Sequence, residues 1–317
     1  MTVAGKHVPN RRPAIILAAT LIAVSLVGWV VGRTWFWGAD PSESSSDGSA
    51  GDLGAKVRIK PPPDVLLESL RRNAGNLTDA LLDLKQQCDD RRGNRPPDPD
   101  SSDVFVQLDR DDAGAVQVLW LQGLYVTDRG LGELYLLREL RVLHLHKAPI
   151  TDTGLEQLKR LPSLVGLSLG RLDITDRGLE QLGHLSDLKW LVIEGPRMSD
   201  AALDHVVVLT GLERLGLSGQ GFTGAGLSRV AQMKQLKRLS LDRTAVDDAG
   251  LIHLAPLTRL EQLNLSHTRI TDAGLPSLKP LASLKLLILH GTDISVPAIG
   301  QLQKSIPGCR IIFRRKG

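Results

Sequence analysis

Cysteine is scarce in this sequence, which has only Cys88 and Cys309 among its 317 residues. Two cysteines cannot supply a disulfide framework, and these two fall at opposite ends of the region that repeats internally. A bridge between them is therefore not expected. We expect Cys309 to be a small buried hydrophobic residue.

Aromatic residues and charge of one sign are also in short supply. Aromatics make up 3% of the chain and hydrophobic residues 42%, so the core must be mainly aliphatic. The net charge of +4 is a small surplus of basic over acidic residues. Because nucleic-acid-binding proteins usually carry a clustered basic face, we expect no nucleic-acid partner.

One long run of the sequence lacks charge altogether, at residues 13–32. Its 20 residues match the length of helix that crosses roughly 30 Å of hydrocarbon. Lys6, Arg11 and Arg12 precede it, which predicts a signal-anchor helix with residues 1–12 as a cytoplasmic tail. The repeat domain would then be extracytoplasmic in a single-pass membrane protein. A cleavable signal peptide is the alternative.

Two polar stretches follow and predict flexible linkers, residues 33–63 and residues 91–103, because they offer few large apolar side chains to bury. Residues 64–90 between them space their leucines by three and four, which predicts a helical stalk or cap. Gly75 and Asn76 could end one helix before a second begins with Thr78 as its N-cap. The alternative is a coiled coil that gives weak self-association through residues 64–90, with Cys88 as a cross-link.

The rest of the chain is built from one repeated unit, represented by Ile150 to Asp173. A marker hydrophobic residue recurs every 24 positions, at Val126, Ile150, Ile174, Met198, Phe222, Val246, Ile270 and Ile294. A fixed period in this range is typical of a solenoid. Before the first marker, residues 104–121 read as two strands joined by a turn, which predicts a hairpin that covers the open end of the solenoid.

Each unit has three parts. Two aliphatic residues at alternating positions, such as Leu167 and Leu169, predict a short strand with one buried face. Thr175 and Asp176 after the marker predict an N-cap and an acidic first turn of a short helix. Gly178 belongs to a column of the repeats that holds glycine, with alanine in two other units. Since alanine disfavours a positive φ, we expect this position to need a small side chain for lack of room and not for its backbone conformation.

The pattern LxxLxLxxTxITDAGLxxLxxL resembles the leucine-rich repeat family in a 24-residue subtype, and Leu260 to Leu281 carries it most completely. The resemblance covers residues 116–313 and implies an α/β leucine-rich repeat solenoid over residues 104–317. It would be a right-handed β-α superhelix of about eight repeats, preceded by one transmembrane helix as in membrane-anchored bacterial proteins of this type. The family's usual turn asparagine is replaced, so its inner hydrogen-bonded ladder should be incomplete. The replacing residues include Thr244, Thr268 and Thr292.

The resemblance also implies a function, which is docking of a protein partner on the concave face of the sheet, without catalysis and without a cofactor. The first alternative is a structural envelope protein that self-associates or binds cell-wall polysaccharide. The second is a substrate-recognition subunit resembling F-box leucine-rich repeat proteins, although no F-box-like region precedes the repeats.

The residues beside the strand leucines form columns along the predicted sheet, and two groups of them are candidate binding residues. The central group is Trp190, Arg214 and Arg238 in one column, with Glu194 and Asp242 in another; the second group is Trp120, His144 and His146. Trp and Arg are enriched where binding energy concentrates, so the central group predicts a binding hot spot. The alternative is a solvated surface with incidental charge.

Two arrangements in these columns suggest chemistry, but neither is complete. His144 and His146 could hold a metal, yet their neighbours supply no third strong ligand. Asp242, Ser266 and His290 follow one another in a column, but a catalytic triad places the imidazole in the middle. No metal site and no catalytic residue are therefore expected.

Overall fold

A computed structural model describes residues 65–73, 76–92, 105–123 and 126–314. The predicted tail 1–12, the apolar run 13–32, the linker 33–63 and most of the linker 91–103 lie outside the described residues.

The described repeats form a single long sheet whose strands follow chain order. The strands are β1 Phe105–Arg110, β2 Val116–Gln122, β3 Val142–His146, β4 Gly166–Gly170, β5 Trp190–Glu194, β6 Arg214–Thr223, β7 Arg238–Ser240, β8 Thr244–Ala245, β9 Gln262–Asn264, β10 Leu286–Ile288 and β11 Arg310–Ile312. From β2 onward neighbouring strands are parallel, and β8 pairs with β6 beside the main path. The sheet is parallel because every repeat returns to the same starting edge through a short helix.

The core lies between the sheet and the helices. Leu167 and Leu169 of β4 are buried and pair in register with Leu191 and Ile193 of β5. Alternation along the strand sends these side chains to the helical side, where they meet marker residues such as Ile174. The prediction that aliphatic residues at alternating positions give each strand one buried face is confirmed.

The connections on the other side of the core are short helices, several of them 3₁₀. The α-helices of the described residues are Val65–Arg72, Leu77–Arg92, Asp128–Gly132, Asp152–Leu155, Ala202–Val206, Leu227–Val230, Asp248–Leu251 and Val296–Ser305; the 3₁₀ helices are Glu133–Leu136, Glu156–Arg160, Asp176–His184, Gly224–Gly226, Ile252–Leu254 and Leu275–Leu278. The 24-residue period leaves room for about two turns after strand and loops, so these helices are too short to be stable without packing.

A ladder of aspartates joins successive repeats. Asp152 Oδ1 accepts the backbone N–H of Thr175 at 2.7 Å, and Asp152 Oδ2 accepts its hydroxyl at 2.6 Å. The same pair of bonds links Asp128 to Thr151, Asp176 to Ser199, Asp200 to Thr223, Asp248 to Thr271 and Asp272 to Ser295. The aspartates predicted to serve their own helices therefore also bind the next repeat.

This ladder explains the glycine column. A Cβ placed on Gly178 would lie 2.3 Å from Asp152 Oδ1, and one on Gly154 would lie 2.2 Å from Asp128 Oδ1. The prediction that the column lacks room is confirmed, and the obstacle is the aspartate of the preceding repeat. Where Ala202 stands in the column, the helix has its N-cap at Ala201, two positions later in the repeat than Thr151.

The ladder is interrupted once, between Gly224 and Asp247. Gly224 stands where other repeats have the donor-binding Asp, and Asp247 stands where they have Thr or Ser. Two aspartates at these positions would place like charges together. Asp247 instead caps its own helix by accepting the N–H of Gly250 at 3.1 Å, and a Cβ on Gly250 would lie 2.3 Å from Gly224 Cα.

The turn threonines form local bonds and no ladder. Thr244, Thr268 and Thr292 each donate a hydroxyl hydrogen bond to the carbonyl three residues earlier, at 2.7, 2.6 and 2.8 Å. All three side chains are buried. The inner turn is therefore satisfied by a local bond in these three repeats, and the side-chain ladder between repeats is formed by the aspartates.

The N-terminal end of the solenoid is covered by the predicted hairpin and by two helices. β1 pairs antiparallel with β2, and Leu66, Leu81 and Leu84 from the helices join the core. Asn76 Oδ1 accepts the N–H of Asp79 at 3.2 Å, so Asn76 caps the second helix in place of the predicted Thr78. These leucines pack as a cap, and self-association through residues 64–90 stays a prediction.

At the other end, Cys309 is buried, as predicted, and is a free thiol. Burial raises its pKa to about 11. The thiol is therefore neutral at ordinary pH and is a poor nucleophile.

The prediction of a single-pass membrane protein with an extracytoplasmic repeat domain is corrected by the structure. Among the described residues, no helix combines the length and the apolar character needed to cross a membrane. Leu77–Arg92 has 16 residues and carries charges along its length, whereas a span takes about 20 predominantly apolar residues. Residues 13–32, on which the prediction rested, lie outside the described part of the chain.

Candidate functional site

The face of the sheet opposite the helices, here called the sheet face, consists of three columns of side chains. The first is Val118, Val142, Gly166, Trp190, Arg214, Arg238, Gln262, Leu286 and Arg310. The second is Trp120, His144, Ser168, Val192, Gly216, Ser240, Asn264, Ile288 and Ile312. The third begins with Gln122, His146, Gly170, Glu194 and Ser218, and Asp242, Ser266 and His290 continue it at the same sequence spacing.

The two groups predicted as separate patches meet through one aromatic cluster. Trp120 and His144 are stacked with ring centroids 4.6 Å apart, and Trp190 meets the edge of His144 at 5.1 Å. Trp190 reaches His144 by lying over Gly166, where a Cβ would be 3.4 Å from the indole. Gly166 thus leaves room for the indole of Trp190, a candidate binding residue on the neighbouring strand, a role that the sequence did not suggest.

The two histidines of the cluster are neutral at physiological pH. Burial lowers the pKa of His144 to about 3, and burial together with the charges of Lys147 and Arg171 lowers the pKa of His146 to about 3. His144 Nε2 is buried and has no hydrogen-bond partner among the described residues. Within that part of the chain no group of three or more His, Cys, Asp or Glu residues is placed to hold a metal.

Arg214 and Arg238 lie side by side on β6 and β7, next to Trp190 on β5. Both side chains are half-buried. Burial lowers the pKa of each guanidinium, and the charge of Arg238 lowers the pKa of Arg214 further. Arginine is effectively always protonated in proteins, so this part of the sheet face carries two adjacent positive charges.

The acidic residues of the third column each lie beside an arginine. Glu194 is held by Arg171, whose Nε lies 2.8 Å from Glu194 Oε1. Asp242 is half-buried, and its Oδ1 has no hydrogen-bond partner among the described residues. Burial raises the pKa of Asp242, opposed by the nearby charges of Arg243, His267 and His290. Asp242 Oδ2 lies 3.8 Å from Arg243 Nε, so both acidic residues of this column have an arginine beside them.

Ser266 is not organised as a nucleophile. Its hydroxyl donates to Asn264 Oδ1 at 2.6 Å, and its backbone N–H donates to the same oxygen at 3.0 Å. His290 Nδ1 is buried without a hydrogen-bond partner among the described residues. The bonds of Ser266 thus go to Asn264 and not to an imidazole, which a serine nucleophile would need.

A column of basic residues lies beside the sheet face and was not predicted from the sequence. Lys147, Arg171, Arg243 and His267 have φ values of 50° to 57°, in the left-handed region. Their counterparts Gly123, Gly219 and Gly291 also have positive φ. The recurrence of glycine at multiples of 24 residues was a signal for this turn, since glycine is the residue that adopts it without strain.

Residues 258–278 match the family model described as Leucine Rich repeat. No curated protein matches the chain. The family match lies within the stretch that carried the resemblance and supports the leucine-rich repeat prediction, while the 24-residue subtype stays a prediction.

Three solved structures are similar in part. Internalin C2 of Listeria monocytogenes strain 4b F2365 is 24% identical over 64% of this chain and 82% of its own, with a TM-score of 0.48. A leucine-rich repeat protein of Leptospira interrogans is 22% identical over 57% of this chain, which spans only 51% of that protein, with a TM-score of 0.42. A plant peptide hormone receptor, RGFR1 in complex with RGF2, is 16% identical over 66% of this chain and 36% of its own, with a TM-score of 0.41.

Proposed function

We propose that this leucine-rich repeat chain binds a partner protein through the sheet face, with Trp190, Arg214 and Arg238 as the central binding residues. Leucine-rich repeat proteins generally mediate protein–protein interaction, and stacked repeats offer an extended surface for it. The observation that supports the proposed location is the register of β5, β6 and β7, which sets these three side chains next to one another.

The residue types and their burial favour binding at this place. Trp and Arg are the types over-represented in binding hot spots, which are partly enclosed and lie near the centre of an interface. Trp190, Arg214 and Arg238 are all half-buried. A bound partner would cover the part of each side chain that is still exposed to water. The second group, Trp120, His144 and His146, is buried, and we propose that it supports Trp190 from behind.

The proposed mechanism is docking without a chemical step. Leucine-rich repeat solenoids are typically non-enzymatic, and the hydrogen bonds of Ser266 supply no activated nucleophile. Turnover by the chain that is lost in the Ser266→Ala or His290→Gln variant would overturn this part of the proposal.

The proposal is tested by capture with the full chain as bait. Replacing Trp190, Arg214 and Arg238 together with alanine should remove a captured partner while the melting temperature changes little, because the three side chains lie on the outer face of the sheet. Capture is measured by mass spectrometry from an extract of the source cells, and folding by circular dichroism.

A matched control has one aromatic and two arginines on the helical side, the exposed residues Tyr135, Arg138 and Arg177. Replacing these three with alanine should leave capture unchanged. Equal loss in both triple variants, or no loss in the first, would move the binding surface away from the sheet face.

A further inference from the structure

Arg214 and Arg238 lie near acidic residues that are paired with lysines. Neither guanidinium forms an ion pair or a hydrogen bond with any described residue. The two nearby carboxylates are already taken: Glu213 accepts from Lys237 Nζ at 2.9 Å, and Glu261 forms an ion pair with Lys285 Nζ at 3.2 Å. Glu213 and Glu261 raise the pKa of Arg214 and Arg238 respectively, but two carboxylates shared among two arginines and two lysines leave a surplus of positive charge. Because Arg214 and Arg238 are half-buried, this surplus is unfavourable, and a bound carboxylate would relieve it.

The sheet face beside the pair has room for a bound chain. The second-column neighbours of Arg214 and Arg238 are Gly216 and Ser240, both small. Larger side chains stand at either end of this stretch of the second column, Val192 on one side and Asn264 on the other in neighbouring repeats. The side chains of Arg214 and Arg238 are thus not crowded by the residues next to them.

The charge of this stretch changes along the strands. Arg214 and Arg238 lie in the first column, while Asp242 lies in the third and forms an ion pair with Arg243 at 3.8 Å. A ligand that runs parallel to the strands would meet two guanidinium donors at one end and the Asp242–Arg243 pair at the other. Such a gradient selects the orientation of a bound segment as well as its charge.

We infer that the sheet face takes an acidic segment of its partner protein, with Asp or Glu carboxylates over Arg214 and Arg238 and an apolar or aromatic side chain against Trp190. The inference rests on the proposed function and adds the chemistry of the partner. Adjacent parallel strands are about 4.8 Å apart, so the two guanidinium groups can hold one carboxylate between them or two carboxylates in sequence. Guanidinium–carboxylate bonds are charge-assisted and can be bidentate.

The test uses a displayed library of random peptides selected on the immobilised full chain. Peptides selected by the natural sequence should be enriched in Asp and Glu next to an aromatic residue. The charge-swap variant Arg214→Glu/Arg238→Glu should select Lys and Arg in their place. The neutral variant Arg214→Gln/Arg238→Gln should lose the acidic enrichment, and it guards against misfolding of the charge-swap variant. A melting curve for each variant verifies folding.

A selected peptide then gives the affinity. Replacing its acidic residues with Asn or Gln should weaken binding at least tenfold, and raising the salt concentration should weaken binding of the acidic peptide more than that of the amide peptide. Equal affinity of the two peptides, or peptides selected without acidic enrichment, would overturn the inference.

The outcomes separate this inference from the proposed function. Selected peptides whose binding depends on Trp190 but which show no acidic preference would agree with the proposed function and contradict this inference. Peptides insensitive to every sheet-face variant would count against both. Binding of a synthetic peptide with the chain's own acidic residues 40–52, lost in the charge-swap variant, would make that segment the occupant and overturn the proposal of an external partner.

Discussion

One aspartate in each repeat determines the choice of residue at two other positions. The carboxylate of Asp152 binds both the N–H and the hydroxyl of Thr175, and it fills the space in front of Gly178. Thr or Ser at one position and Gly at the other are therefore consequences of the ladder. At the interruption two of the three change together, since Asp247 replaces the hydroxyl residue and Gly224 replaces the aspartate. Gly250 stays, because a Cβ there would lie 2.3 Å from Gly224 Cα.

The coupling within the ladder predicts the result of a double-mutant cycle. We expect Asp152→Ala to lower the free energy of unfolding by about 1–3 kcal/mol, because a carboxylate that accepts two hydrogen bonds is lost. Gly178→Ala should cost about 1–3 kcal/mol through its overlap with the carboxylate. The double variant should lose at least about 1 kcal/mol less than the sum, because the alanine at 178 no longer meets Asp152 Oδ1. Denaturant unfolding measures all three.

Gly183 supplies the control for this cycle. It lies in the same 3₁₀ helix, Asp176–His184, but a Cβ there would lie 4.0 Å from Val208. Gly183→Ala should therefore be neutral or stabilising by up to about 1 kcal/mol. Additive effects of Asp152→Ala and Gly178→Ala would contradict the explanation of the glycine column.

The buried histidines predict a dependence of stability on pH. The folded-state pKa of His144 and of His146 is lowered from 6.5 to about 3, so the unfolded chain binds more protons between these values. Stability is therefore unaffected above pH 6.5 and falls as the pH drops toward 3, on the order of a few kcal/mol for each histidine. His144→Phe keeps a ring beside Trp120 and should make the fall less steep.

Denaturant unfolding at a series of pH values between 7.5 and 3.5 measures this effect. His184, whose side chain is exposed, is the matched control, and His184→Gln should leave the slope as it is. A slope in His144→Phe equal to that of the natural sequence would show that His144 does not contribute to the acid sensitivity.

At the scale of elements, the first repeat depends on a cap of a different structure. The hairpin of β1 and β2 continues the sheet in antiparallel pairing, and helix Leu77–Arg92 packs its apolar side chains into the core. A solenoid needs such an end because its terminal repeat would otherwise expose leucines to water. The leucine spacing of residues 64–90 predicted a helix, but the same spacing suits a coiled coil. The structure shows that Leu66, Leu81 and Leu84 pack into the core of the solenoid, while self-association through residues 64–90 stays a prediction.

The cap predicts a local effect of mutation. Leu81 is fully buried, so Leu81→Ala should lower the free energy of unfolding by about 2–5 kcal/mol through lost burial and the cavity left behind. Hydrogen exchange should accelerate first in β1 and β2. Leu136→Ala changes an exposed leucine and should alter stability by no more than about 0.5 kcal/mol. Equal small effects of both variants would show that the helix does not cap the solenoid.

At the scale of the whole molecule, the fixed period makes each repeat interchangeable in its bonding. Asp152 binds the hydroxyl of Thr175, and Asp176 binds that of Ser199 in the same way. Except at Gly224 and Asp247, each of these repeats meets the next through the same pair of bonds, and stability is close to a sum over repeats and the contacts between neighbours.

This regularity predicts that one whole repeat can be removed. Deletion of residues 174–197 should bring Asp152 to Ser199 and β4 next to β6, and should leave a protein that unfolds cooperatively with a smaller denaturant m-value. Deletion of only residues 174–185 should abolish cooperative unfolding, because it puts strand where helix belongs. Circular dichroism during denaturant unfolding distinguishes the two, and a folded half-repeat deletion would contradict the register argument.

The proposed binding residues show how much of their arrangement follows from the sequence alone. The columns of Trp190, Arg214 and Arg238 followed from counting residues between leucines, and the strand register places them as predicted. The contact of Trp190 with His144 across Gly166 did not follow from that counting, because it depends on how far the indole extends over a residue that has no side chain. The ion pair of Glu194 with Arg171 likewise depends on a turn with positive φ.

The sequence by itself determined the repeat, the buried face of each strand and the columns of the sheet face, because hydrophobic periodicity fixes which side chains leave water. Tertiary structure alone decided what the polar residues do. Asp152 could have served its own helix, and the acid beside Arg214 could have paired with it; the packing of neighbouring repeats gave these carboxylates to Thr175 and, in the case of Glu213, to Lys237. Hydrogen bonds and ion pairs depend on distances across repeats, which composition and spacing do not contain.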